Sequence, residues 1–156
     1  MELKKGLDIG NEIIDLIRDN CVKIEIAGSI RRKRPDVKDV DLVILPKEHK
    51  KAKIVWDLIN HGFKTTKNGD KIVSGTYKNV QIDLNFCTED TWGVVLLFRT
   101  GSKFHNIKMA KKAKEMGLKL SLNKGLMKDD EVIASKTEKE IFEKLDMDYV
   151  EPEERW

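Results

Sequence analysis

Two apolar, strand-like runs of the chain carry carboxylates, and this pattern restricts the fold more than any other feature of the sequence. The run Val-Asp-Leu-Val-Ile at residues 40–44 contains Asp41 and directly follows Asp39. The run Val-Gln-Ile-Asp-Leu at residues 80–84 contains Asp83. Alternate residues of a strand lie on one face, so Asp39 and Asp41 should point the same way while their apolar neighbours point into the core. The sequence therefore predicts a sheet with carboxylates on one face.

These carboxylates indicate a cation site if the two runs pair side by side. Like charges a few ångströms apart raise each other's pKa unless a cation lies between them. Oxygen ligands suit Mg²⁺, which takes one or two carboxylates plus substrate phosphates. Asp39, Asp41 and Asp83 together would hold two ions about 4 Å apart for an in-line displacement at phosphorus. An Asp-x-Asp pair on its own, however, is most often a solvated strand edge.

Phosphate-binding groups lie just upstream of the first acidic run. Gly28 and Ser29 follow an alternating strand that begins at Val22, and their backbone N–H groups and the hydroxyl can hold a phosphate. Arg32 can add a bidentate contact to phosphate oxygens. Phosphate donors and metal carboxylates on neighbouring elements meet the needs of nucleotidyl transfer.

The order of predicted elements indicates an α+β protein with two lobes, residues 1–90 and residues 91–156. The first lobe is expected to contain a mixed sheet with flanking helices. Its elements are predicted as helix 7–20, strand 22–28, strand 38–46, helix 47–62 and a hairpin at 70–88. Trp56, in the second of these helices, is assigned to the core.

The second lobe is predicted to be a smaller α+β unit. Its elements are an apolar helix from residue 91, a basic helix at 103–117, a hairpin at 118–134, a helix at 135–147 and an extended tail. The last helix begins with a capping box formed by Thr137 and Glu140. Trp92 is assigned to the core.

Charge is distributed unevenly along the chain, although the net charge is only +3. Residues 103–128 hold eight lysines and one glutamate, whereas residues 129–156 hold eleven acids and four bases. This asymmetry predicts contact with nucleic acid or phosphate by the basic segment, while a solvated helix face explains any single lysine. Cys21 and Cys87 are too few for an all-cysteine zinc site. No apolar run approaches the ~20 residues that cross a bilayer, so a cytosolic protein without membrane contact is expected.

Three blocks of the sequence resemble known polymerase motifs in order and spacing. The segment GSIRRKRPDVKDVDLVI at 28–44 resembles the nucleotidyltransferase signature. The segment LLFRTGSKFHNIKMAKKAKEMGLKLSLNKGL at 96–126 resembles the sugar-and-base pocket of family X DNA polymerases, and TEKEIFEKLDMDYVEPEER at 137–155 resembles their C-terminal segment. The resemblance spans about residues 20–155. It implies a minimal form with the palm and the C-terminal nucleotide-binding lobe only, without an N-terminal lyase domain or a helix-hairpin-helix lobe.

The resemblance implies roles for the residues of the first lobe. Asp39 and Asp41 would bind both of two Mg²⁺ ions, for which Mn²⁺ can substitute. Asp83 would bind the catalytic ion beside the primer 3′-hydroxyl. Ser29 and Arg32, beside Gly28, would hold the β and γ phosphates of the dNTP.

The resemblance also implies roles for the second lobe. Phe98, Thr100 and Gly101 would line the sugar of the nucleotide, with Phe98 where the family often has Tyr. Gly101 and Ser102 match a position at which the family has a cis peptide bond. Asn106 would reach the nascent base pair. The expected DNA-binding side chains are His105, Lys108, Lys111 and Lys112.

Two residues depart from the family pattern, and each departure leads to an expectation. Gln81 replaces an Arg that often precedes the third Asp, so a looser orientation of Asp83 is expected. Ala110 replaces an Arg that senses the minor groove in some members, and lysines cannot read a base pair bidentately. Modest fidelity is therefore expected.

The sequence thus predicts a DNA-directed DNA polymerase that adds dNMP to a primer 3′-hydroxyl, in short-gap repair synthesis. The expected partners are primer-template or gapped DNA and dNTP. A monomer is expected, in the cytoplasm or at a nucleoid or viral replication site. One alternative is a template-independent or small-substrate nucleotidyltransferase, which shares only the first motif. Another is a non-catalytic nucleic-acid-binding module, which would be expected to have lost a metal carboxylate.

Overall fold

The computed structural model describes residues 1–156, which divide into two units, Met1–Cys87 and Thr88–Trp156. The helices of the first unit are α1 (Leu3–Ile17), α2 (Gly28–Arg31) and α3 (Lys51–Asn60). Its strands are β1 (Cys21–Ile26), β2 (Val40–Pro46), β3 (Lys64–Asn68), β4 (Ile72–Tyr77) and β5 (Val80–Phe86).

The five strands form one mixed sheet in the order β1-β2-β5-β4-β3. β2 and β5 run parallel, while the other neighbouring pairs are antiparallel. β2 lies between β1 and β5, and Val40, Leu42 and Ile44 are completely buried. Ile13 and Ile17 of α1 are also completely buried, as their helical spacing predicts. The mixed α+β class predicted for this part of the chain is confirmed.

Two expectations for the first unit are wrong. The sequence KTTKN at 64–68 has no apolar alternation, and no strand was predicted there, yet it forms the edge strand β3 by pairing with β4. Its side chains are all exposed, because a strand at the sheet edge needs only backbone pairing. Trp56 is 63% exposed and lines a groove of about 410 Å³ with Val55 and Ile59, outside the core.

The second unit contains three helices and a small antiparallel sheet. Its helices are α4 (Trp92–Thr100), α5 (Lys103–Glu115) and α6 (Glu138–Lys144). Its strands are β6 (Lys119–Ser121), β7 (Gly125–Lys128) and β8 (Glu131–Ala134), in the order β6-β7-β8. The predicted hairpin therefore has a third strand. Leu97, Met109, Leu126 and Phe142 are almost completely buried and bring the helices and the sheet into one core.

The N-terminus of α6 is capped largely as predicted. The Thr137 hydroxyl accepts a hydrogen bond from the Glu140 backbone N–H at 3.1 Å. The Glu140 carboxylate accepts from the backbone N–H groups of Ser135 and Lys136, at 3.4 and 3.2 Å. Side chains thus satisfy one free N–H group in the first turn of the helix and two in the segment that precedes it.

The sequence predicts an extended C-terminal tail, but the tail is not extended throughout. It forms a short 3₁₀ turn at Pro152–Glu154, and the Arg155 side chain is completely buried. The guanidinium donates to the Glu138 carboxylate at 2.6 Å and, through Nε, to the Val150 carbonyl at 2.9 Å. Its Cζ lies 5.3 Å from the ring centroid of Phe142. None of the helices combines the length and the apolar character needed to span a bilayer.

Candidate active site

Asp41 and Asp83 lie side by side on neighbouring parallel strands. The register of β2 and β5 pairs Asp41 with Asp83, and Leu42 with Leu84. Neighbouring strands are about 4.8 Å apart, so this register brings the two acidic side chains together on one face of the sheet. Asp39 directly precedes β2, and it is partly buried like the other two carboxylates. The pairing of the two acidic runs, which the cation-site hypothesis requires, is therefore present.

The Asp83 carboxylate is held by two donors on its own side of the sheet. Ser74 Oγ donates to Asp83 Oδ1 at 2.6 Å, and Gln81 Nε2 donates to the same oxygen at 3.2 Å. Ser74 lies opposite Asp83 in the register of β4 and β5. The expectation that Gln81 would leave Asp83 loosely oriented is therefore wrong. Ser74 was missed, and only the pairing register of the hairpin would have identified it.

Asp39 has an electrostatic environment that disfavours its ionised form. Burial raises the pKa of the Asp39 carboxyl, the charge of Asp83 raises it further, and Lys38 opposes both effects. A cation near these carboxylates would relieve that repulsion.

The carboxylates do not, however, form a closed metal cage by themselves. No three or more His, Cys, Asp or Glu side chains form a preassembled set of metal ligands. Of the three carboxylates expected to converge, Asp41 and Asp83 are paired in register, and Asp39 directly precedes β2. This donor set fits Mg²⁺, which takes one or two protein carboxylates and completes its shell with water and substrate phosphates.

The turn between β1 and α2 lies against Asp41. Gly28 has a φ of 63°, and a Cβ built there would overlap the Asp41 carboxylate. Only glycine satisfies both the left-handed backbone and the close approach. The Ala27 backbone N–H also donates to the Asp41 carbonyl at 2.8 Å, and Ser29 follows with a partly exposed side chain.

Arg32 lies at the end of α2, in the same neighbourhood. Burial lowers the pKa of its guanidinium, as does the charge of Arg34, whereas Asp41 raises it. Arg32 therefore interacts electrostatically with the Asp41 carboxylate, and its guanidinium remains a cation at neutral pH. The structure thus brings Gly28, Arg32 and the carboxylates into one neighbourhood of the first unit.

The residues expected at the nucleotide sugar lie between α4 and α5. Phe98 is partly exposed, Thr100 is completely buried, and the peptide bond between Gly101 and Ser102 is cis, as the resemblance implies. Ser102 Oγ accepts a hydrogen bond from the His105 backbone N–H at 3.2 Å and so caps α5.

The side-chain amide of Asn106 makes a hydrogen bond inside the protein. Its Nδ2 donates to the Phe98 carbonyl at 2.9 Å, so the amide joins the first turn of α5 to the end of α4. Its Oδ1 is buried and has no hydrogen-bond partner. The expected contact with a base pair remains a prediction.

His105 is a core residue, which corrects its assignment to DNA binding. It is only 5% exposed, its ring centroid lies 5.9 Å from that of Phe142, and neither ring nitrogen has a hydrogen-bond partner. Burial, together with the charges of Arg155 and Lys108 and against that of Glu138, lowers the pKa of His105 to about 4. The imidazole is therefore neutral and inaccessible at physiological pH.

The three lysines expected to contact DNA lie on α5. Lys108 and Lys111 are exposed, and Lys112 is partly exposed. The opposite face of the helix is buried through His105, Met109 and Ala113. The lysines are therefore accessible to a polyanion.

Cys21 and Cys87 belong neither to the carboxylates and glycine turn of the first unit nor to the residues expected at the nucleotide in the second unit. Burial raises the pKa of Cys21 to about 11 and that of Cys87 to about 12. Both thiols therefore stay protonated at neutral pH, which disfavours nucleophilic chemistry.

Comparison with known proteins finds similarity to DNA polymerases. Residues 95–156 match the family model of the DNA polymerase beta thumb. A relative, the DNA polymerase/3′-5′ exonuclease PolX of Bacillus subtilis (strain 168), is 28% identical over 140 residues, 87% of this chain and 25% of the relative. The chain thus spans about a quarter of the length of that relative.

The fold also matches a solved polymerase structure. The ternary P/T complex of Leishmania infantum polymerase beta superimposes with a TM-score of 0.84 and 20% sequence identity, over 100% of this chain and 76% of that chain. At this identity the likeness shows the fold alone. Together the comparisons support a relationship to the family X DNA polymerases.

Proposed function

We propose that the chain is a DNA-directed DNA polymerase that adds dNMP to a primer 3′-hydroxyl and releases pyrophosphate. The observation that carries the proposal is the register of Asp41 with Asp83, beside the glycine turn at Gly28. Paired carboxylates beside a turn with backbone donors and an arginine suit a nucleoside triphosphate and its metal counterions. The similar proteins described above are DNA polymerases, which supports the same reaction class.

The residues of the first unit would act on the triphosphate and the attacking hydroxyl. Asp39, Asp41 and Asp83 would hold two Mg²⁺ ions together with substrate phosphates, and Mn²⁺ would substitute. When bound, these ions would neutralise the phosphates and lower the pKa of the primer hydroxyl. Ser29 and Arg32 would hold the β and γ phosphates by hydrogen bonds that become stronger as charge develops.

The residues of the second unit would hold the nucleotide and the DNA. Phe98, Gly101 and Ser102 would line the sugar, and Asn106 would contact the nascent base pair. Thr100 is completely buried, so its side chain is removed from the set expected at the sugar. Lys108, Lys111 and Lys112 would contact DNA phosphates, which position the duplex without reading its sequence. With alanine at position 110, geometric selection would be limited and fidelity modest.

The biological setting that fits this proposal is short-gap repair synthesis by a monomer. The alternatives are a template-independent nucleotidyltransferase and a non-catalytic DNA-binding module, and the same experiment separates them. A template-independent enzyme would extend a single strand as fast as a gapped duplex. A non-catalytic module would bind DNA and extend nothing.

Primer extension on templated, gapped and single-stranded DNA with Mg²⁺ or Mn²⁺ tests the proposal. We expect extension on the templated substrates, fastest at short gaps, and none by the Asp39→Ala/Asp41→Ala variant. Asp8→Ala/Asp15→Ala is the matched control, since both acids are exposed on α1. No incorporation on any substrate, or equal incorporation by the carboxylate variant, would contradict the proposal.

A further inference from the structure

The face of α5 that points away from the core carries an aromatic side chain in an exposed position. His105, Met109 and Ala113 define the buried face of this helix. Phe104 is 74% exposed and Ile107 is 53% exposed, and the two lie one turn apart on the other side. Phe104 is the most exposed large apolar side chain in the protein. Grouped apolar side chains at such exposure mark a binding surface.

Lysines surround these two apolar side chains. Lys108 follows Phe104 by four residues and Lys111 follows Ile107 by four, so each pair lies about 5–6 Å apart between Cβ atoms. The helix contains five lysines and a single acid, which is its last residue. We name this surface the Phe104 face, which consists of Lys103, Phe104, Ile107, Lys108, Lys111 and Lys114. Its charge is complementary to a polyanion, and its centre is complementary to a flat apolar group.

We propose that the Phe104 face binds single-stranded DNA, with the Phe104 ring stacked on an unpaired base and the lysines on the flanking phosphates. This inference rests on the proposed function for the identity of its ligand, and it adds recognition of unpaired bases. A single strand supplies a charged backbone and bases with free π-faces, which is the combination that aromatic and basic side chains together bind. Bases inside a duplex are stacked on each other and offer only their edges to the ring.

A membrane surface fits the same helix less well. Helices that lie in a bilayer interface bury a wide apolar face in the lipid. The buried face of α5, with His105, Met109 and Ala113, is used in the protein core, and the large apolar side chains on its exposed side are only Phe104 and Ile107. The density of lysines around two apolar groups instead matches a strand of nucleotides.

Binding of the full chain to a short labelled single strand and to a blunt duplex of the same sequence tests the proposal. We expect Phe104→Ala to weaken single-strand binding between about 5-fold and 100-fold, which corresponds to the loss of one stacked base. Duplex binding should change by less than about twofold. Phe104→Trp should restore single-strand binding. Because Phe104→Ala removes no charge, the salt dependence of binding should not change.

Two controls separate stacking from other effects of the substitution. Trp56→Ala also removes an exposed aromatic side chain, on α3 of the first unit, and should leave DNA binding unchanged. A single strand that lacks its bases should bind the native protein and Phe104→Ala equally. Since Phe104 is exposed, the variant should unfold at the same urea concentration as the native protein.

Several results would overturn the inference. These are no change in single-strand binding for Phe104→Ala, an equal loss for duplex and single strand, or a loss that persists without bases. A change in self-association or in vesicle binding without a change in DNA affinity would also overturn it. The readout is binding, so failed extension with intact Phe104-dependent binding would refute only the polymerase proposal. Extension that proceeds without such binding would refute only the inference.

Discussion

At the scale of single residues, the buried ion pair between Arg155 and Glu138 fixes the C-terminal tail. The two side chains are 0% and 6% exposed, and their charged atoms lie 2.6 Å apart. We expect Arg155→Met to lower the free energy of unfolding by about 3–5 kcal/mol, because it leaves the Glu138 carboxylate buried without its cation. Urea unfolding measures this change.

Two further variants check that cause. Arg155→Met combined with Glu138→Gln should recover much of the loss, since no unpaired charge remains. Lys136→Ala breaks the exposed ion pair with Asp90 and should cost less than about 1 kcal/mol. Equal effects of the buried and the exposed substitutions would contradict the assigned role of Arg155.

His105 should make stability depend on pH in a defined window. Its folded-state pKa is lowered to about 4 by burial and by Arg155 and Lys108, against Glu138. Between its ordinary pKa near 6.5 and pH 4, the unfolded chain binds the proton that the folded chain excludes. Relative to His105→Gln, the native protein should therefore lose up to about 3 kcal/mol as pH falls from about 6.5 to 4. Parallel unfolding curves for the two proteins across this range would contradict the buried neutral imidazole.

These residues also show where sequence reasoning reaches its limit. Asp41 and Asp83 were found because each interrupts an apolar run, which is a local signal. Arg155 was not found, because its partner lies 17 residues away and nothing near it in sequence indicates burial. Trp56 was assigned to the core from its chemistry alone, but helical position decides burial, and Ile54 and Leu58 occupy the inward positions of α3.

At the scale of elements, the strand-turn-helix unit of β1 and α2 depends on Gly28. A Cβ at this position would overlap the Asp41 carboxylate, in addition to the cost of a left-handed backbone. We expect Gly28→Ala to slow nucleotide incorporation by about tenfold or more, because it displaces a carboxylate of the candidate site. The rate of single-nucleotide incorporation measures this effect.

Gly117→Ala is the matched control for the cost of placing a Cβ on a left-handed backbone. Gly117 also has a positive φ, 74°, but a Cβ there would meet no atom within 4 Å. Gly117→Ala should lose about 1–2 kcal/mol of stability and Gly28→Ala at least as much, whereas only Gly28→Ala should lose activity. Equal activity of the two variants would show that the turn does not position Asp41.

The elements that were predicted correctly have strong periodicity, and the missed edge strand β3 has none. α1, β2 and β5 repeat apolar residues at the spacing of a helix or a strand, so one face of each is readable from the sequence. β3 is held by backbone pairing with β4 and has only exposed side chains, so its sequence contains no burial pattern to read.

At the scale of the whole molecule, the uneven charge should govern affinity for DNA. Residues 103–128 hold eight lysines and one glutamate, although the net charge of the chain is only +3. DNA affinity should fall steeply with salt, and Lys108→Ala/Lys111→Ala should reduce the slope of log K against log salt by roughly 1.4–1.8. Lys4→Ala, which breaks an exposed ion pair with Asp8, should leave the slope unchanged. A slope that is flat, or equally reduced by Lys4→Ala, would contradict this role of the basic segment.

Single-nucleotide incorporation tests template-directed nucleotidyl transfer most directly. A gapped primer-template is offered each of the four dNTPs in turn, opposite each template base, with Mg²⁺. We expect the complementary nucleotide to be inserted fastest with modest discrimination, one pyrophosphate released per insertion, and a rate at least about 100-fold lower for Asp83→Asn. Asp57→Asn, on α3, should match the native protein. Insertion that ignores the template base, or that Asp83→Asn leaves unchanged, would contradict the proposed function.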